Sequence, residues 1–199
     1  MKPSNITRSH EYNDLPIMPS HAFHSEILQR LQERLTWSCK RHSQILVFLL
    51  VIQFPENYPR DGNNRIFSRW MADFIRHIGP FDPSYVWVRE ECPESPGRFH
   101  FHLLVFLNGN ETQNPWGHLQ TAQRCWAKTL GIADASGLIS LCQPQSERSF
   151  QNSGFKLVRN SSDFSAKFNE AFCYLSYLAK TDSKSPIDGV RTFGCSTLN

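Results

Sequence analysis

Tyr85-Val-Trp-Val-Arg-Glu-Glu91, Cys92-Pro-Glu-Ser-Pro-Gly97, Arg98-Phe-His-Phe-His-Leu-Leu-Val-Phe-Leu107 is the stretch that decides the fold. Two runs rich in β-branched and aromatic residues flank a short Pro/Gly connection, and such neighbours pair as an antiparallel hairpin. Side chains alternate along a strand. Val86, Val88 and Glu90 therefore share one face of the first run, and Trp87, Arg89 and Glu91 share the other. His100 and His102 share a face of the second run. Asn108-Gly109-Asn110 ends it.

Working outward, Gln44-Ile-Leu-Val-Phe-Leu-Leu-Val-Ile-Gln-Phe54 is a near-continuous apolar run stopped by Pro55, and it reads as a strand covered on both faces. Ser25 to about Lys40 carries Ile27, Leu28, Leu31 and Leu35 at helical spacing, with Ser25 available as a cap. Asn64 to His77 sets Ile66, Trp70 and Phe74 at four-residue steps and predicts a second amphipathic helix. Helices are also predicted over Gly117–Leu130 and Ser162–Lys180, with short strands at Leu138–Cys142 and Phe155–Val158. The fold class that follows is α+β, a central antiparallel sheet with helices packed on it. Residues 1–22 are polar and without period, so they are expected to form a poorly ordered arm ahead of a single domain over 23–199.

Composition removes several alternatives. With 199 residues, 40% hydrophobic and 13% aromatic, the chain can bury a core and is not a disordered tail. The longest apolar run, Ile45 to Ile52, is too short to span a bilayer, and the amino terminus lacks the apolar stretch of a secretory signal. A cytoplasmic protein with no membrane partner is expected. The six cysteines are widely spaced and form no CxxC pair, so reduced thiols are expected and a cysteine-built structural zinc site is not. A net charge of +3 permits nucleic-acid binding without establishing it.

The chemistry concentrates in two places. Two imidazoles side by side among large hydrophobes would be costly to bury unpaired, and a shared divalent cation would satisfy both. Separate hydrogen-bond partners at a sheet edge would satisfy them equally. If the Val86/Val88 face meets the core, Glu90 points inward beside His100 and His102 as a third ligand. Two nitrogens and one carboxylate with open positions suit Mg²⁺ or Mn²⁺ holding phosphate oxygens as well. The second place is Phe172-Cys-Tyr-Leu-Ser-Tyr-Leu-Ala-Lys180. On a helix Tyr177 and Lys180 lie about 60° apart and share a face. A phenol attacking a polarised phosphodiester, with an ammonium alongside, is a workable nucleophile. A Tyr-rich amphipathic helix with a solvated lysine gives the same pattern. Tyr177 falls nearly opposite the apolar stripe and Tyr174 on its flank, so periodicity leaves both as candidates.

These motifs, in this order, resemble the HUH endonuclease superfamily, the rolling-circle replication initiators and their relatives. A hydrophobic strand ending in proline (ILVFLLVIQFP, 45–55) precedes the His-hydrophobic-His strand (FHFHLLVF, 99–106) and a tyrosine helix with its lysine (YLSYLAK, 174–180). VWVREE, GRFHFHLLVFLNGN, YLAKTDSK and VRTFGCS are similar to the inovirus replication-endonuclease-like proteins, including the YagK/YfjJ-type proteins of prophages. The resemblance implies a ferredoxin-like or RRM-like sheet bearing a Mg²⁺ or Mn²⁺ site of His100, His102 and Glu90. It also implies that Tyr177, assisted by Lys180, nicks single-stranded DNA or a hairpin at an origin through a 5′-phosphotyrosine link, so initiating rolling-circle replication of a phage or related element. Tyr174 would be a second tyrosine in a two-tyrosine scheme, although its three-residue spacing departs from the usual four. No GxxxxGK[ST] occurs, so a host helicase would unwind the duplex. Arg65, Arg69, Arg98 and Arg191 are candidates for phosphate contacts. A small transposase or relaxase would share the chemistry. A non-catalytic nucleic-acid-binding module or a metal-stabilised protein would share only the fold.

Overall fold

Ile45 to Ile52 form the middle of the sheet because apolar side chains leave from both faces and both need cover. A computed structural model describes residues 6–19, 21–58, 62–92, 95, 97–142, 154–182, 184 and 187–198. In chain order its strands are β1 (Ile6–Thr7), β2 (Glu11–Tyr12), β3 (Leu15–Pro16), β4 (Phe23–His24), β5 (Gln44–Gln53), β6 (Ser84–Glu91), β7 (Phe99–Asn108), β8 (Ile139–Leu141), β9 (Phe155–Val158) and β10 (Phe193–Cys195). The helices are α1 (Ser25–Arg41), α2 (Arg65–Ile78), α3 (Trp116–Leu130) and α4 (Phe164–Ser176). The α+β class, with an antiparallel central sheet, is what the sequence predicts.

The sheet runs β10-β6-β7-β5-β8, and β9 shares the outer edge of β5 with β8. All its pairings are antiparallel, and β6 and β7 form the hairpin read from residues 85–107. On one face Ile45, Val47 and Leu49 of β5, Val86 and Val88 of β6, and Leu104 and Phe106 of β7 pack under α1 and α4. On the other, Leu46, Phe48, Leu50 and Ile52 join Phe101, Leu103 and Val105 under α2 and α3. The two fully buried indoles of that layer are both satisfied, Trp70 Nε1 donating to the Ala122 carbonyl and Trp126 Nε1 to that of Gln53. At the β10 edge, a Cβ on Gly194 would lie 2.7 Å from the Trp87 indole nitrogen, so only glycine admits this strand so close.

Three local differences from the sequence reading bear on the site. Ser25 is the first residue of α1 rather than its cap, which falls on extended His24 without a side-chain capping bond. The segment from Ile6 forms small ribbons, β1 pairing β4 and β2 pairing β3 around Asn13 and Asp14 at φ 49° and 62°. Ile17 of this segment is buried, and Tyr12, Leu15 and Met18 pack against the α1/α4 layer. Finally, the last helix stops at Ser176, and Tyr177–Ala179 is a single 3₁₀ turn. Ser176 Oγ donates to the Cys173 carbonyl at 2.6 Å, the acceptor the next α-turn would use, and accepts the Met18 N–H at 2.9 Å, which holds the hydroxyl in place. Lys180 then leaves in an extended conformation and bridges Phe23 of β4. No helix among the described residues is long and apolar enough to cross a membrane.

Candidate active site

Register sets the first half of the site. Glu90 lies directly across from His100 and Val88 across from His102. Val86 and Val88 are in the α1/α4 core, so Glu90, His100 and His102 point into that layer as the alternation requires. His100 Nε2 and His102 Nε2 are 3.1 Å apart, and Glu90 Oε2 is 3.7 Å from the first and 3.5 Å from the second. The circle through three atoms so separated has a radius of about 2.0 Å, a bonding distance for Mg²⁺ or Zn²⁺ and close to that for Mn²⁺. The three donors thus fit one cation with the two-nitrogen, one-carboxylate set that leaves coordination positions open. Glu91, on the outer face, instead accepts the Gly97 N–H at 2.6 Å and holds the hairpin turn.

The imidazoles are supported unequally. Cys92 Sγ lies 3.5 Å from His100 Nδ1, so the ring's far nitrogen is held while Nε2 faces Glu90. His102 Nδ1 is buried without a hydrogen-bond partner among the described residues, so that ring is held from its Nε2 side, by His100 and Glu90, and by packing. Burial, then the neighbouring His102, push the His100 imidazole down to about 4, against a smaller upward pull from Glu90. His100 is accordingly neutral and able to coordinate through the acid side of neutrality. Burial by itself would raise the Glu90 carboxyl, but the His102 hydrogen bond and the charges of Lys184, His102 and Lys180 outweigh it and hold Glu90 well below the usual carboxylate range.

The 3₁₀ turn brings in the second half. An i, i+3 pair eclipses at three residues per turn, so Lys180 lies over Tyr177. Its Nζ is 3.9 Å from the ring centroid and donates to Tyr177 Oη at 2.5 Å. The same ammonium is 3.8 Å from Glu90 Oε2, which links the phenol to the His/His/Glu triangle. Leu178 and Ala179 are buried in the α1/α4 core and anchor the turn between them. Tyr174 is placed differently. Its hydroxyl points at the Cys142 carbonyl at 3.5 Å, its ring packs on Phe155, and burial followed by contact with Cys142 pushes its phenol far above the ordinary value.

Lys184, His21 and Asp182 join the site without having been singled out in the sequence. Lys184 Nζ donates to Glu90 Oε1 at 3.0 Å and to the Lys180 carbonyl at 2.7 Å. Its place four residues after Lys180, at the end of the YLAKTDSK stretch, was the signal available. His21 sets its ring edge against Tyr177, with centroids 5.7 Å apart, and its Nδ1 is 3.3 Å from Asp182 Oδ2. Two ammonium groups, Lys180 and Lys184, face the single Glu90 carboxylate, while Asp182 lies against His21 on the solvent side, so the charge nearest the triangle is positive, which suits a phosphodiester.

A family model described as the YagK/YfjJ C-terminal domain matches residues 7–196. The chain belongs to the YagK/YfjJ C-terminal domain family. No curated protein matches it. The family match takes in both halves of the site and also the small amino-terminal ribbons and His21.

The four arginines do not gather at the site of this YagK/YfjJ-type domain. Arg65 and Arg69 are exposed on α2, which covers the opposite face of the sheet, and Arg69 donates to the Thr129 carbonyl at the end of α3. Arg98 immediately precedes β7 beside an aromatic slot lined by Phe54, Tyr58 and Phe99. Arg191 is exposed before β10, its carbonyl tied to Asn64 Nδ2 at 2.8 Å. Of the sequence-predicted residues, the structure brings together Glu90, His100, His102, Tyr177 and Lys180. It leaves Tyr174 turned toward Cys142 and the arginines dispersed.

Proposed function

We propose that this protein is an HUH-type endonuclease that nicks and rejoins single-stranded DNA, using Tyr177 as nucleophile and initiating rolling-circle replication. The observation that carries this reading is the continuous contact from Tyr177 Oη through Lys180 Nζ to Glu90 Oε2, 2.5 Å and then 3.8 Å, beside two convergent imidazoles.

His100, His102 and Glu90 would hold the divalent cation, Mg²⁺ or Mn²⁺, and the ion when bound supplies Lewis-acid polarisation of the phosphodiester. The chain's own residues do the rest. Tyr177 Oη forms the new bond to phosphorus as the bond to the 3′-oxygen breaks. The phenol proton departs and the leaving oxygen gains one, giving a 5′-phosphotyrosine link and a free 3′-hydroxyl. Lys180 stabilises the phenolate that develops on the way. The reverse attack by a 3′-hydroxyl reseals the strand and restores Tyr177. Unpaired DNA or a hairpin at an origin is the substrate, and a host helicase would supply unwinding.

Incubation of the protein with labelled single-stranded origin-like oligonucleotides and Mn²⁺, followed by a denaturing gel, tests the reading. A covalent protein–DNA adduct is expected from the wild type and none from Tyr177→Phe. An adduct formed equally by Tyr177→Phe, or none with any strand of the element that carries the gene, would overturn it.

A further inference from the structure

Asp73 and His77 are one helical turn apart on α2, and Cys125 of α3 lies against them. One ligand atom from each lies within 4.8 Å of the other two. Cys125 Sγ is 3.8 Å from His77 Nδ1, close to the roughly 3.5 Å expected between a thiolate and an imidazole nitrogen on one tetrahedral Zn²⁺. Cys125 is buried, whereas His77 is exposed and closes the cluster on its solvent side. This group belongs to the α2/α3 layer, across the sheet from His100 and His102.

We propose that Asp73, His77 and Cys125 form a second, independent metal site, selective for a thiophilic divalent cation such as Zn²⁺, that clasps α2 to α3. One sulfur, one nitrogen and one carboxylate oxygen are a zinc-like donor set, and water fills the fourth position. Binding releases the thiol proton to solvent, so a thiolate and a carboxylate neutralise the ion. In the ion-free chain Asp73 is instead neutralised by Arg76 and Lys128, at 3.1 and 3.2 Å. Their side chains are 74% and 75% exposed, so both can turn into water when the ion enters. His77 Nδ1 lies 2.8 Å from the Asp73 carbonyl and exchanges that partner for the metal. Sequence spacing hides such a site, because its ligands come from two helices and no CxxC pair marks it.

The inference is independent of DNA nicking, and its test needs no DNA. Co²⁺ is titrated into the full chain and the thiolate-to-cobalt charge-transfer absorption is recorded, with thermal unfolding followed in Zn²⁺. The wild type should show the absorption and a Zn²⁺-dependent rise in Tm. Cys125→Ser should lose the absorption, and the surface change His77→Ala, which threatens no core packing, should weaken Co²⁺ binding at least tenfold. His100→Ala with His102→Ala should leave the thiolate absorption intact. No thiolate absorption in the wild type overturns the site. So does absorption that survives Cys125→Ser and vanishes with Cys92→Ser, because it would then arise beside His100.

Discussion

Lys184 donates to Glu90 Oε1 at 3.0 Å from a side chain only 2% exposed, beside a carboxylate only 3% exposed. Ions removed from water this far are stable only as a pair, and deleting one strands the other. Because Lys184 also bonds the Lys180 carbonyl, it ties the chain following the tyrosine turn to β6. The other oxygen of Glu90 is left facing His100 and His102.

Lys184→Met should therefore destabilise the protein by about 3 kcal/mol, the usual cost of breaking a buried pair from one side. Glu90→Gln on top of it should recover much of that loss. Urea denaturation of the two single variants and the double variant measures the coupling. Simple additivity of the two losses would mean that the residues do not act as a pair.

Stability of the metal-free protein should fall in acid through two adjoining windows. His100 titrates near 4 in the fold and near 6.5 in the unfolded chain. Its contribution is complete above 6.5 and is lost as pH falls toward 4, because the unfolded chain takes up the proton first. The full span is on the order of 3 kcal/mol, as an upper limit. Glu90, depressed below its ordinary 4.5, adds a further loss below that pH. Denaturation at pH 7 and pH 5 should differ for the wild type, and His100→Gln should flatten the difference. Mn²⁺ should oppose the acid loss, since it binds only the deprotonated ligands.

Tyr174→Phe should keep adduct formation within a factor of about three and cost about 1 kcal/mol or less in stability, the worth of one long hydrogen bond to Cys142. Adduct assays on Tyr174→Phe and Tyr177→Phe side by side distinguish the two phenols. If Tyr174→Phe abolishes the adduct while leaving Tm unchanged, the nucleophile is misassigned.

Much of this was legible in the sequence where periodicity governs. The burial of both faces of β5 follows from its unbroken apolar run, and the inward turn of Glu90 follows from strict alternation with Val86 and Val88. What periodicity could not carry was tertiary. The last helix reads as continuous to Lys180, yet it ends at Ser176, whose hydroxyl, held by the Met18 N–H, takes the Cys173 carbonyl. That termination puts Lys180 over Tyr177 and separates Tyr177 from Tyr174. Lys184 ends the YLAKTDSK stretch without a role assigned to it and His21 lies outside every motif, and their roles arise from the segments that bring them to Glu90 and Tyr177.

His21 gives the last prediction. Its ring meets Tyr177 edge to face and also packs against Phe23, at 5.7 and 6.0 Å between centroids. The segment holding it is fixed by the Thr181 N–H to Ala22 carbonyl bond and by the Phe23–Lys180 bridge. His21 thus acts on the phenol through ring packing, which sets the direction of Oη, and an aromatic contact of this kind is worth about 0.5–1.5 kcal/mol. His21→Ala should slow single-turnover adduct formation about tenfold without a matching loss of oligonucleotide affinity, because a displaced nucleophile lowers the rate and not the binding. His21→Phe keeps the ring and should restore most of the rate. If Phe is as slow as Ala, the imidazole nitrogens facing Asp182 are what matter, and His21 takes part through its protons rather than its shape.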